Sequence, residues 1–184
     1  MLKTLRFSLI SILLMMCGTV FGQEVTLDFT GGATWDIPTS GTNKDLATFT
    51  DGTYSIQLYS TTNYKLNAGY LILGKADSYL QLPAFDFDVE KIEVEGTSGA
   101  SAAVQQNIYV GDVAVSTETT GAKDVTNVYE IADGYQGAGN IYVLKVNSSH
   151  NTQIASIKVY KKMAADDVAK PIITPSGGSF AVSQ

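Results

Sequence analysis

From Glu24 onward apolar and polar side chains alternate, and turn residues interrupt the alternation every few positions. In "VTLDF" Val25, Leu27 and Phe29 share one face, and Thr26 and Asp28 the other. That is the period of a strand half buried against a core. "LATFT-DG-TYSIQLY" predicts a hairpin whose Asp51-Gly52 pair suits a type I′ turn, with Tyr54, Ile56 and Leu58 pointing inward. "GYLILG" (69–74) is apolar on both faces and predicts a central strand covered on both sides. "SYLQLP" follows, and Pro83 bars its continuation as a paired strand. "VEKIEVEG" turns Ile92 and Val94 inward, and "NIYVGDVAVS" predicts a second tight hairpin about Gly111-Asp112. "NVYEI", "IYVLKV" and "QIASIKVY" add three strands; in the last, Ile154, Ile157 and Val159 break strict alternation and predict a bulge. About ten short strands without a helical period predict an all-β fold, a jelly-roll-like antiparallel β-sandwich.

The two ends of the chain differ from this middle. Lys3 and Arg6 precede the apolar "FSLISILLMM", and "VFGQ" follows, which is the anatomy of a secretory signal peptide over 1–22. The apolar run is shorter than the ~20 residues that a membrane span requires. The expected location is therefore secreted or cell-surface, with no transmembrane segment in the mature chain. Met15 and Met16 precede Cys17 where a lipoprotein signal would have small residues, which argues against lipidation. The sandwich domain is expected over 23–162. "KKMAADDVAKP" then loses the alternation, so 163–170 reads as a linker. "PIITPSGGSFAVSQ" resumes it, and 171–184 reads as the first strand of a second, truncated sandwich with further domains beyond Gln184.

Charge and composition then narrow the chemistry. The 184-residue chain has a formal charge of −6; removing Lys3 and Arg6 with the signal would make it −8. An acidic surface argues against nucleic acid, whose phosphates need clustered cations. Cys17 is the sole cysteine, so the mature chain has no thiol nucleophile, disulfide or zinc–thiolate site. His150, the sole histidine, sits in the polar "NSSHNTQ" without a "GxSxG" elbow anywhere, which leaves no Ser-His-Asp triad. The acids are many, but no two are marked as a glycosidase pair. No catalytic residue and no enzyme activity is expected, nor any cofactor. Calcium alone needs only oxygen ligands, and Asp86, Asp88 and Glu90 on one side of an extended "FDFDVE" leave it open.

Aromatic residues in polar loops carry the remaining chemistry. A sugar stacks its C–H face on a ring while its hydroxyls take amide and carboxylate partners. Trp35 lies in a Gly-rich loop, Tyr64 sits near Asn67, and Tyr135 lies in "DGYQGAGN" beside Gln136 and Asn140. Those six residues are the expected ligand contacts, on the premise that the three rings lie off the inward positions.

Two resemblances join this reading. Pro171, Pro175, Gly177, Gly178 and Phe180 in "KPIITPSGGSFAVSQ" resemble the opening of the chitobiase/β-hexosaminidase C-terminal-type domain. That resemblance implies a fibronectin type III-like module accompanying carbohydrate-active or surface proteins. "LQLPAFDFDVEKIEVEGTSGAS", "QNIYVGDVAVS" and "QIASIKVY" look like the N-terminal sandwich modules of secreted proteins from Gram-negative gut bacteria, with a closing strand similar to those of carbohydrate-binding modules. No site residue carries over from either. The expectation is a non-catalytic module binding a glycan or surface polymer within a larger protein. The alternatives are a structural or adhesive spacer without a small ligand, and an accessory part of a glycan-degrading hydrolase.

Overall fold

The structure, a computed structural model, describes residues 24–31, 34–96, 104–121 and 125–163. The signal segment with Cys17, the "TSGAS" of 97–101, most of the linker and the whole of 171–184 lie outside the described residues. Thirteen strands run through the described part. They are β1 (Glu24–Asp28), β2 (Ala47–Thr50), β3 (Ser55–Tyr59), β4 (Tyr64–Asn67), β5 (Tyr70–Leu73), β6 (Tyr79–Gln81) and β7 (Val89–Gly96). After these come β8 (Val104–Val110), β9 (Val113–Ala114), β10 (Thr119–Gly121), β11 (Thr126–Glu130), β12 (Tyr142–Val146) and β13 (Thr152–Lys161). One 3-10 turn, Asp133–Tyr135, is the sole helical element among the described residues, so none there is long and apolar enough to cross a membrane.

The strands form two antiparallel sheets. The first has the order β11-β7-β13-β5-β4, with β1 also on β13; the second has β10-β8-β12-β6-β3-β2, with β9 on β8. From β5 onward most connections cross from one sheet to the other, so the loops cap both ends of the sandwich. Alternation explains why two layers suffice. Leu58, Leu80, Leu144 and Ile108 stand opposite one another across β3, β6, β12 and β8, each fully buried. Val159, Ile92 and Tyr129 do the same across β13, β7 and β11, and Leu27 on β1 stands opposite Ile157 on β13. Each such side chain contributes about 1.5–3 kcal/mol on leaving water. With no disulfide available, this burial holds the fold.

Several expectations are met and several corrected. The bulge falls where the lost alternation put it: the register of β13 on β7 shifts between Ile154 and Ser156. The Gly111-Asp112 hairpin is a two-residue turn between Val110 and Val113, with Gly111 at φ 58°. The Asp51-Gly52 hairpin is longer than a type I′ turn. Its last pair is Thr50–Ser55, and Gly52 alone there has positive φ. The Asp51 carboxylate explains this, since its Oδ1 accepts from the amides of Thr53 (2.8 Å) and Tyr54 (2.7 Å) and closes the loop itself. Strand β5 is internal to its sheet but covered on one face only. Leu71 and Leu73 are buried, whereas Tyr70 and Ile72 are half-buried, because two layers leave each sheet an uncovered outer side.

Gly74, just after β5, marks a close approach. A Cβ there would collide with the hydroxyl oxygens of Ser60 and Thr62 and crowd Ser78. The Ser60 and Ser78 hydroxyls lie 3.2 Å apart and receive the amides of Asn63 and Thr61, so they cannot retreat without breaking the loop. Gly74→Ala is expected to destabilise the protein by about 1–3 kcal/mol in urea unfolding, whereas Gly134→Ala, where a Cβ meets nothing within 4 Å, stays within about 0.5 kcal/mol.

Candidate functional site

Four of the six expected contact residues are occupied with holding the fold together. Trp35 is 6% exposed: its ring stacks on Phe29 with centroids 5.5 Å apart, and its Nε1–H donates to the Asp28 carbonyl at 2.8 Å. Tyr64 lies in β4 rather than a loop and is 4% exposed. It packs edge-on against Phe49, and its hydroxyl donates to the Asp45 carbonyl at 2.9 Å. The premise that these rings lie off the inward positions is thus corrected. A Gly-rich loop folds back and uses its one large ring as a lid on the core, and a four-residue strand puts its first residue inside. Gln136 is buried too: its Nε2 donates to the Ile131 carbonyl, and its Oε1 accepts from the Lys162 ammonium. Asn140 donates through Nδ2 to the Tyr135 carbonyl, which also accepts the Tyr142 hydroxyl. Tyr135 itself is half-buried against the core. Asn67 lines a different cavity of about 410 Å³, with Thr30, Gly31, Thr39, Leu66 and Ala68, and none of the other five shares it.

The other sequence candidates are placed as follows. His150 is exposed beyond β12, its amide on the Ser148 hydroxyl. The Asp88 carboxylate accepts the Ala138 amide at 2.9 Å. Among the described residues no three His, Cys, Asp or Glu side chains converge as metal ligands.

A different surface gathers unsatisfied chemistry, the outward face of the second sheet. Since Leu58, Leu80, Leu144 and Ile108 point in, their neighbours point out in two rows. One row runs Tyr59, Tyr79, Lys145 and Asn107 across β3, β6, β12 and β8. The other runs Thr48, Gln57, Gln81, Val143 and Tyr109 from β2 to β8. Tyr79, Gln81, Tyr109, Val143 and Lys145, with Asp77, Gly111 and Asp112 at the rim, surround a cavity of about 340 Å³. The Tyr59 and Tyr79 rings stand 5.3 Å apart and tilted. Strand spacing and register put Tyr79 and Tyr109 about 12 Å apart. Among the described residues, neither the three tyrosine hydroxyls nor the side-chain amides of Gln57 and Gln81 have a hydrogen-bond partner. In the same row the buried Asn107 Oδ1 also lacks one.

The first sheet's outward face is built oppositely. Lys91 binds Glu93 at 2.7 Å and lies 4.2 Å from the Tyr160 ring centroid. The Tyr160 hydroxyl donates to Glu93, and the Ser156 hydroxyl to Glu95, each at 2.8 Å. Desolvation pushes the Glu93 carboxyl up. The hydrogen bonds from Lys91 and Tyr160, together with the Lys91 and Lys158 charges, outweigh it and hold Glu93 below its ordinary 4.5. Over β7 and β13 that face is a satisfied ionic ladder.

No sequence signal marked the outward rows, because Tyr59, Tyr79 and Tyr109 are ordinary strand residues until the register is known. No protein-family profile and no curated protein sequence matches the chain. Solved structures similar to it include the following two. One comes from work on glycan recognition in the Ruminococcus flavefaciens cellulosome: 13% identity, TM-score 0.38, covering 78% of this chain and 98% of that one. The other is a low-affinity xylan-binding module from the gut symbiont Roseburia intestinalis: 11% identity, TM-score 0.40, covering 77% of this chain and 97% of that one.

Two measurements check these placements. Trp35→Phe removes the donor to the Asp28 carbonyl and is expected to cost about 1–3 kcal/mol in chemical unfolding. Because Glu93 has a lowered value when folded, its contribution is present above about pH 4.5 and lost as pH falls through that lower value. Glu93→Gln is therefore expected to lower stability at pH 7 and to flatten its fall below pH 4.5, as read by urea unfolding across a pH series.

Proposed function

We propose that the chain is an exported, non-catalytic β-sandwich module that binds carbohydrate on the outward face of its second sheet. The observation that carries this reading is the convergence of the Tyr79 and Tyr109 rings with Gln81 and Lys145 around one open cavity. Half-buried rings offer flat apolar faces for sugar C–H groups, and amides and charged groups between them match hydroxyls. The 12 Å span reaches beyond one pyranose ring, which suits an extended chain lying obliquely across β6, β12 and β8. The two solved structures named above are described in terms of glycan recognition and xylan binding; the reading for this chain stands on its own side chains. The basic and then apolar character of 1–22 supports export.

A hydrolytic role is disfavoured by the surroundings of the two carboxylates at the cavity. Asp77 is 74% exposed and already ion-paired with Lys145, unlike a general acid in an apolar pocket. The second reading, a spacer without a small ligand, is favoured by the burial of Trp35 and Tyr64. It leaves unexplained why three tyrosines and two glutamines with open polar groups are set side by side across β3, β6, β12 and β8.

Affinity electrophoresis of the full chain through gels containing neutral plant polysaccharides tests the proposal. Tyr79→Ala and Tyr109→Ala are each expected to weaken retardation roughly five- to tenfold, from about 1–1.5 kcal/mol of stacking, with unchanged melting curves. Tyr70→Ala, on the other sheet, leaves retardation as it was. If no polysaccharide retards the chain, or if both tyrosine variants bind like the parent, the spacer reading takes over.

A further inference from the structure

The cavity's charges are unequal, and from them we propose that the site takes uncharged glycan chains and rejects chains bearing carboxylates. The inference rests on the glycan reading above and refines it. Among the described residues lining the cavity, three side chains carry charge: Asp77, Asp112 and Lys145. Lys145 Nζ lies 3.1 Å from Asp77 Oδ1 and 5.7 Å from the Tyr109 ring centroid. The one cation at the cavity is thus already met by a carboxylate and an aromatic face before any ligand arrives.

Asp77 is held in that position. Its φ of 67° makes it the sole non-glycine residue in the left-handed region among those described, a conformation that Asp adopts more readily than most residues. Its amide donates to the Val146 carbonyl at 2.9 Å, and the neighbouring Ala76 amide to Ser148. With its backbone pinned at both residues, Asp77 projects from a fixed point within ion-pair distance of Lys145. Backbone strain of this kind concentrates at sites that need a side chain placed.

Asp112 has no such neighbour. It is the second residue of the two-residue turn between β8 and β9, carried to the rim behind Gly111, and no ion pair reaches it among the described residues. Once Asp77 and Lys145 cancel, one negative charge remains at the cavity, on a chain that is itself acidic. A uronate carboxylate arriving here finds no free cation and meets a like charge. A hydroxyl does well in the same place, because it donates to Asp112 or Asp77, accepts from Lys145, and pairs either way with Gln81. Hydrogen bonds to charged partners are about twice as strong as neutral ones.

Matched polymers isolate the charge. The probes are hydroxyethylcellulose against carboxymethylcellulose, and methyl-esterified against de-esterified homogalacturonan, each in affinity electrophoresis with the full chain. At low salt the uncharged member of at least one pair is expected to bind at least about fivefold more tightly, the factor from about 1 kcal/mol between charges some 4 Å apart in water. The gap narrows at high salt, where screening is stronger. Asp112→Asn, well tolerated in a tight turn, is expected to reduce the ratio toward one. Equal or tighter binding of the carboxylated member at low salt overturns the inference and leaves the glycan reading standing. An unchanged ratio in Asp112→Asn overturns it likewise. If neither member of either pair is retained, the glycan reading falls and takes the inference with it.

Discussion

A strand can bury only every second side chain, and in a two-layered protein the remaining half has nothing to pack against. The inward row of Leu58, Leu80, Leu144 and Ile108 therefore decides far more than core stability. By fixing the register of β3, β6, β12 and β8, it fixes which residues stand side by side outside. Slipping one strand by a single residue would bury Tyr79 and expose Leu80, a change that the core does not tolerate. The candidate site is the other side of the same constraint. Its rings are aligned by three leucines and an isoleucine on the opposite side of the sheet.

The two outward faces share this geometry and differ in chemistry. On the first sheet, Lys91, Glu93, Tyr160, Ser156 and Glu95 satisfy one another. A charged ladder of that kind keeps a sheet face soluble and gives an incoming molecule little to replace. On the second sheet, tyrosines and glutamines replace the ladder, and their polar groups remain open. The contrast is informative because the same fold and chain supply the control. Solubility alone would be served by either pattern, so the second sheet's face calls for a further explanation, and a ligand with apolar faces and polar edges fits it.

How much of this was legible beforehand follows the same logic. Alternation is a local signal, so β1, β3, β7 and β12 could be read directly, and the lost alternation at Ile154 and Ile157 revealed even the bulge. The turn at Asp51 was misjudged because backbone rules favour an Asp-Gly I′ turn, whereas the aspartate's own carboxylate stabilises a longer loop. The short β4 was hidden by Lys65 and Asn67, polar residues that happen to face outward. The expected contact residues turned out to be largely structural for a deeper reason. Trp35, Tyr64 and Tyr135 stood out as aromatic residues among polar and glycine neighbours, yet a sandwich needs such rings as lids at its open ends. Tyr59, Tyr79 and Tyr109 looked like routine strand residues, and only pairing across four strands brings them together.

That difference bears on how freely such a face can vary. Loop residues here are bound into the fold: Gln136 holds Ile131 and Lys162, Asn140 holds Tyr135, and Asp88 holds Ala138. Altering any of them disturbs an end of the sandwich. Residues of the outward rows are tied to the core only through their backbone, so Gln57, Gln81, Val143 and Tyr109 can be exchanged at little cost to stability. Asp77 is the exception, since its left-handed backbone limits the substitutes to residues such as Asn and Gly. A face of this design is free to vary in ring position and hydrogen bonding while one charged corner remains constrained. Under the proposed reading ligand choice rests on the surface of the strands, with the loops committed to holding the two layers closed.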